Sequence, residues 1–90
     1  MLIPKTSIYT FYLKTDDGSR LYIDDDRIID RDGINGMDFE NSGEVALEKG
    51  IHKYRVEYFQ NWGGLGFEHS VESFEVTKQE VPSKWFRIKP

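Results

Sequence analysis

Hydrophobic and polar residues alternate along most of the chain with a period of two, which is the pattern of β-strands that bury one face. The segment 8–14 places Tyr9, Phe11 and Leu13 on the same face, and the clearest alternation is that of the segment 51–60. No segment has the 3.6-residue period of an amphipathic helix. Strands are therefore predicted over the segments 8–14, 20–24, 27–30, 43–48, 51–60 and 85–88, with one or two further strands over 67–76.

Short polar segments separate these strands and predict turns, as in the sequence Thr-Asp-Asp-Gly-Ser at 15–19. Short strands with turn signals every 8–12 residues are typical of antiparallel sandwiches and barrels. The fold class is therefore predicted to be all-β, as an antiparallel β-sandwich or flattened barrel. The residues predicted to face its core are Phe11, Leu13, Leu21, Ile23, Val45, Leu47, Tyr54, Val56 and Tyr58.

Length and composition indicate one folded domain over residues 1–90, with 38% hydrophobic and 14% aromatic residues. The net charge of −4 and the scattered Lys and Arg argue against nucleic acid and anionic membranes as partners. The chain has no cysteine, which excludes disulfides and thiolate metal sites. No segment approaches the roughly 20 apolar residues of a membrane span, so no membrane insertion is expected. The first residues lack the apolar core of a signal peptide.

Five blocks of the sequence resemble the protective-antigen (PA-fourteen) domain family in order and spacing, over about residues 8–68. This module occurs in bacterial and fungal glycosidases and in yeast flocculin-type adhesins. The resemblance implies a β-sandwich that is part of a larger protein and that lacks the usual first strands, so that a neighbouring domain would cover an open edge. The blocks are YTFYL at 9–13, TDDGSRLYID at 15–24, DRDG at 30–33, LEKGIH at 47–52 and RVEYFQNWGG at 55–64.

The resemblance also implies a non-catalytic, lectin-like carbohydrate-binding module of an extracellular, periplasmic or cell-surface protein, with a glycan as its partner. In the flocculin-like branch, two adjacent aspartates and an asparagine from a second loop hold a Ca²⁺ ion, and sugar hydroxyls complete its coordination. Asp16, Asp17 and Asn61 match these positions and form the predicted Ca²⁺ site. Trp62 lies beside Asn61 and joins them in the predicted carbohydrate site. Ca²⁺ prefers six to eight oxygen ligands, which suits this set.

Each of these assignments has a structural alternative. Asp16 and Asp17 are also suited to cap the turn by accepting hydrogen bonds from nearby backbone N–H groups. Trp62 is suited either to stack on a sugar or to close one end of the sandwich. The alternative function is a structural or interaction module that packs on a catalytic domain, for example of a glycoside hydrolase, and shapes substrate access. In neither case is the chain itself expected to be an enzyme.

Other charged residues are better explained by structure than by chemistry. The segment 30–36 lacks the spacing of an EF-hand loop, and the three aspartates from Asp24 read as a hairpin turn. Glu57 and Glu68 occupy ordinary outward strand positions rather than those of a glycosidase acid pair. His52 and His69 have no third ligand in register for zinc.

Overall fold

The computed structural model describes residues 1–16, 18–31, 40–59 and 66–86, and these residues form an all-β protein. Every strand pairing is antiparallel. The strands are β1 (Leu2–Ile3), β2 (Ser7–Asp16), β3 (Gly18–Ile23), β4 (Asp26–Arg31), β5 (Asn41–Leu47), β6 (Gly50–Ile51), β7 (Tyr54–Phe59), β8 (Gly66–Ser73) and β9 (Gln79–Glu80). One turn of 3₁₀ helix spans Ser83–Trp85.

Two larger sheets pack together as the predicted β-sandwich. One sheet has the strand order β5-β2-β8-β9 and the other has the order β4-β3-β7, while β1 and β6 form a small third sheet. The chain moves from the first large sheet to the second through the tight connection between Asp16 and Gly18. The prediction of an antiparallel β-sandwich is confirmed.

The core draws residues from both large sheets and confirms most of the predicted inward positions. Side chains that the alternation placed inward, such as Phe11, Leu13 and Leu21, are fully buried. Val45, Tyr54 and Val56 are half-buried and pack against the same core. The complete set of buried hydrophobic residues in the described ranges is Ile3, Tyr9, Phe11, Leu13, Leu21, Ile23, Ile29, Leu47, Val71, Val81 and Trp85.

Tyr58 departs from its predicted core position and is 37% exposed. It lies near the end of β7, which pairs with β3 on one side and is an edge strand of its sheet within the described residues. Its ring contacts Phe67, which is itself 44% exposed, with ring centroids 6.1 Å apart. An edge position near a strand end leaves a side chain with neighbours on one side, so inward orientation alone does not bury it.

The single strand predicted over residues 51–60 is wrong, because the chain forms two strands that join different sheets. β6 pairs with β1, and β7 pairs with β3. Between them, the N–H of His52 donates to the carbonyl of Met1, and the N–H of Lys53 donates to the Asp24 carboxylate. The unbroken alternation of side chains did not reveal that the backbone changes partners here.

The strand predicted over residues 85–88 is also wrong for the residues that the structure describes, because Trp85 is the last residue of the 3₁₀ turn. Pro82 precedes the turn, and its carbonyl accepts a hydrogen bond from the N–H of Trp85. The Trp85 ring packs edge-on against Tyr9 with a centroid distance of 6.4 Å, which docks the C-terminal segment on the core. The part of the chain that the model describes contains no helix long and apolar enough to cross a membrane.

Candidate functional site

The predicted Ca²⁺ and sugar site belongs to two loops that start from adjoining strand ends. Asp16, the last residue of β2, pairs with Gly66, the first residue of β8. Gly18, the first residue of β3, pairs with Phe59, the last residue of β7. The strand ends that flank Asp17 and residues 60–65 therefore lie at one end of the sandwich. The predicted ligands themselves, Asp17, Asn61, Trp62 and the side chain of Asp16, lie outside the described residues, so the Ca²⁺ site stays a prediction.

A buried pair of hydroxyl groups braces the connection between β2 and β3. The Thr15 and Ser19 side-chain oxygens are 2.7 Å apart, and both residues are fully buried. Sequence patterning assigned these residues to a polar turn and missed their inward orientation. A hydrogen bond between two buried hydroxyls satisfies groups that would otherwise be costly to remove from water.

The outer face of the β4-β3-β7 sheet carries paired charges. Arg20 lies 3.3 Å from the Asp30 carboxylate and 3.7 Å from that of Glu57, and Arg55 lies 2.8 Å from Glu57. Glu57 also accepts a hydrogen bond from the Tyr22 hydroxyl. Glu57 therefore belongs to a network of ion pairs. Glu68, which was considered with Glu57 as a glycosidase acid pair, lies on β8 in the other large sheet.

The two histidines lie in different environments. His52 is held at the β3–β4 turn, where its ring lies 2.5 Å from the Asp24 carboxylate. His69 is on β8, and its Nδ1 lies 2.9 Å from the Tyr54 hydroxyl. Burial lowers the pKa of His69 and raises the pKa of Tyr54. Within the described ranges, no group of three His, Cys, Asp or Glu side chains could hold a metal ion.

The outer face of the β5-β2-β8 strands carries exposed apolar side chains. Ile8 is 61% exposed and Phe74 is fully exposed. Both line a shallow groove of about 430 Å³. Ile8 also borders a second groove of about 400 Å³, where its neighbour is Ala46 on β5. We call Ile8, Ala46 and Phe74 the apolar outer face.

Carboxylates surround the apolar outer face. Glu44 and Glu72 line the first groove, and Glu48 lines the second. Glu72 accepts a hydrogen bond from the Tyr12 hydroxyl, which raises the pKa of Tyr12 to about 12. The carboxylates of Glu44 and Glu48 make no ion pair with any residue in the described ranges. The face therefore combines exposed apolar groups with negative charge.

Sequence patterning missed the apolar outer face. Ile8 lies on β2 one residue before the inward Tyr9, so alternation does assign it an outward position. Phe74 falls just after the end of β8, in a bend where period-two alternation no longer applies. The available signal was an isoleucine at an outward strand position, although single exposed hydrophobic residues are common on soluble proteins.

The model of the PA14 domain family matches residues 1–85, which is nearly the whole chain. The chain belongs to the PA14 domain family. This confirms the resemblance seen in the sequence blocks. The match also extends beyond the segment 8–68 on which that resemblance was based.

The relatives of this PA14 domain that were found carry the name of anti-sigma factors or of proteins with an anti-sigma factor domain. The chain is 37% identical over 81 residues to an anti-sigma-I factor, RsgI3 of Acetivibrio thermocellus (strain ATCC 27405), which covers 88% of this chain and 12% of that protein. A solved structure of an anti-sigma factor domain-containing protein from Clostridium clariflavum matches with a TM-score of 0.86 and 30% identity, covering 100% of this chain and 31% of that one.

A further solved structure, also described as an anti-sigma factor domain-containing protein, matches 96% of this chain and 30% of its own, with a TM-score of 0.83 and 30% identity. The PA14 domain thus spans less than a third of the length of each of these proteins. These relatives overturn the predicted function. The assignment to a lectin-like carbohydrate-binding module, its glycan partner and the glycosidase or adhesin setting were wrong, since the family resemblance identified the fold and not the protein that uses it.

Proposed function

We propose that this PA14 domain is a protein-interaction module of a sigma-factor regulator. The observation that carries the proposal is its 37% identity to an anti-sigma-I factor over 88% of the chain. Two solved anti-sigma factor domain-containing proteins support the same assignment at 30% identity. The module corresponds to a small part of each relative, so its role is to bind or position other parts of the regulator.

The apolar outer face is the surface that suits this role. Burying a fully exposed phenylalanine such as Phe74 contributes roughly 1.5–3 kcal/mol to an interaction. Ile8 and Ala46 extend the apolar area across β2 and β5. The carboxylates of Glu44 and Glu48 at its border, which make no ion pair within the described ranges, favour a partner that presents lysine or arginine beside apolar side chains. We assign that partner to the rest of the regulator.

A chimera tests the proposal. The matching segment of RsgI3 is replaced by this chain, and transcription that depends on its sigma factor is measured with a reporter. We expect the chimera to keep the regulated output of RsgI3. We expect the double substitution Ile8→Ser and Phe74→Ser to change that output, because it removes most of the apolar outer face while leaving the core intact.

The matched control is Ile51→Ser, because Ile51 is 67% exposed but lies on β6, in a different sheet. This control should behave like the unsubstituted chimera. A chimera without regulated output contradicts the assignment to a sigma-factor regulator. A double variant that matches the unsubstituted chimera leaves that assignment in place and rules out the apolar outer face as the interaction surface.

A further inference from the structure

His52 connects two parts of the fold through both of its ring nitrogens. Nδ1 lies 2.5 Å from Oδ2 of Asp24, in the turn between β3 and β4. Nε2 lies 2.7 Å from the carbonyl oxygen of Glu48, just after β5. Both partners are acceptors, so only the doubly protonated imidazolium can donate to both of them. A neutral ring carries one N–H and must give up one of the two hydrogen bonds.

The turn that holds Asp24 is itself held by Lys53. The Asp24 N–H donates to the Lys53 carbonyl at 3.0 Å, and the Lys53 N–H donates to Oδ1 of Asp24 at 2.9 Å. Asp24 and Asp25 both have positive φ angles, 51° and 69°, which aspartate and asparagine tolerate better than most residues. The Asp24 carboxylate thus joins the β3–β4 turn to the segment that links β6 with β7.

The same segment holds β1 in place. The His52 N–H donates to the Met1 carbonyl at 2.8 Å, next to the two residue pairs of the β1–β6 sheet. Ile3 of β1 is fully buried in the core. The position of His52 therefore affects whether this short sheet stays closed.

The charges that face His52 favour its protonated form. The Asp24 carboxylate raises the pKa of His52 above its ordinary value, and the Glu48 carbonyl adds to this effect. Partial burial and the Met1 amino group, which donates to the His52 carbonyl, act in the opposite direction. Lys53 and Asp25 are paired with each other through their side chains at 3.1 Å. His52 in turn lowers the pKa of Asp24.

We propose that His52, Asp24 and the Glu48 carbonyl form a pH-sensitive clasp, closed when the imidazole is protonated and opened when it loses its proton. Opening removes one of the two hydrogen bonds of the His52 ring and loosens the β1–β6 sheet, while the hydrogen bonds between Lys53 and Asp24 remain. The clasp uses the backbone carbonyl of Glu48, whose side chain borders the apolar outer face, but it does not depend on the proposed function.

Nuclear magnetic resonance on the 90-residue chain tests the clasp. The ring signals of His52 and His69 are titrated from about pH 5 to pH 9, and amide exchange at His52 and Lys53 is converted to protection factors at each pH. We expect His52 to titrate above its ordinary pKa and protection to fall over the same pH range. Each unit by which the pKa is raised corresponds to a tenfold fall in protection, because the two are thermodynamically linked.

Two substitutions in the same turn separate the clasp from a general effect of charge. Asp24→Asn should lower the pKa of His52 and remove the pH dependence of amide protection at Lys53. Asp25→Asn is the matched control, since it changes the neighbouring carboxylate and keeps a residue that tolerates positive φ. It should leave both observations unchanged.

Three results would overturn the proposal. The first is a measured pKa of His52 at or below the ordinary value of 6.5. The second is amide protection at His52 and Lys53 that does not change with pH while His52 titrates. The third is an effect of Asp25→Asn as large as that of Asp24→Asn. If Asp24→Asn does not fold, the titration of His52 and the protection factors of the unsubstituted chain still decide the question.

Discussion

The Cα of Gly43 on β5 lies against the backbone of Ile28 on β4. A methyl group added at Gly43 would come within 2.3 Å of the Ile28 carbonyl oxygen and 2.7 Å of its Cγ2. Ile28 is the extra residue of a bulge, because Leu21 of β3 pairs with Ile29 while Tyr22 pairs with Arg27. The bulge brings β4 against β5 and closes the sandwich along this side, and glycine is what permits the close approach.

Gly43→Ala should therefore destabilise the protein by about 1–3 kcal/mol, as overpacking of a closed interior does. The measurement is the free energy of unfolding in urea. Ser42→Ala on the same strand serves as the control and should change the stability by less than about 0.5 kcal/mol. A Gly43→Ala variant as stable as that control would show that β4 and β5 can move apart at no cost.

The buried hydroxyl pair of Thr15 and Ser19 is expected to be coupled. Thr15→Val removes the hydroxyl at nearly constant volume and takes this partner away from Ser19. Each single substitution should cost about 1–3 kcal/mol, and Thr15→Val combined with Ser19→Ala should cost less than the sum. A double-mutant cycle by urea unfolding measures the coupling. Strict additivity would mean that the two side chains do not stabilise the β2–β3 connection together.

Burial distinguishes Val56, which sequence patterning predicted to face the core, from Val71, which that prediction left out. Val71 on β8 is fully buried, whereas Val56 on β7 is half-buried. Val71→Ala should cost about 1–3 kcal/mol from lost transfer energy and a cavity, and Val56→Ala should cost less. Thermal and urea unfolding of both variants give the comparison. A larger loss at Val56 would mean that the core is centred nearer to β7.

The stability contributed by His52 should depend on pH. Its folded-state pKa is raised, so this contribution is fully present below pH 6.5 and is lost as pH rises through the raised value. The lowered pKa of His69 has the opposite sign, because its contribution is present above pH 6.5 and is lost as pH falls. Urea unfolding of the unsubstituted chain and of His52→Gln between pH 5 and pH 9 isolates the first effect. Equal differences at both ends of that range would contradict it.

The predicted Ca²⁺ site gives a further test. If Asp16, Asp17 and Asn61 bind Ca²⁺, millimolar Ca²⁺ should raise the melting temperature, because a ligand that binds only the folded state stabilises it. Asp17→Asn should abolish this rise and leave the metal-free melting temperature unchanged. Loss of the fold in Asp17→Asn without metal would instead favour the role of this aspartate in capping the turn.

The all-β class, most of the strands and most of the core could be predicted from local patterns in the sequence. Alternation at Phe11 and Leu13 identified the buried face of β2, because a strand turns successive side chains to opposite sides. The order and spacing of the Asp-Asp-Gly block and its neighbours identified the PA14 family. Neither signal carries information about the protein in which the domain works, which is why the lectin assignment was wrong.

The pairing of the strands and the exposure of the surfaces depend on tertiary contacts that no local pattern in the sequence shows. His52 and Lys53 lie within one alternating run, yet their backbone N–H groups bind Met1 and Asp24, so the run divides between two sheets. Alternation also marks Ile8 as outward, but the exposure of Phe74 beside it depends on the bend after β8. Strand partners and surface neighbours are set by residues distant in the chain, and a local pattern of polarity cannot specify them.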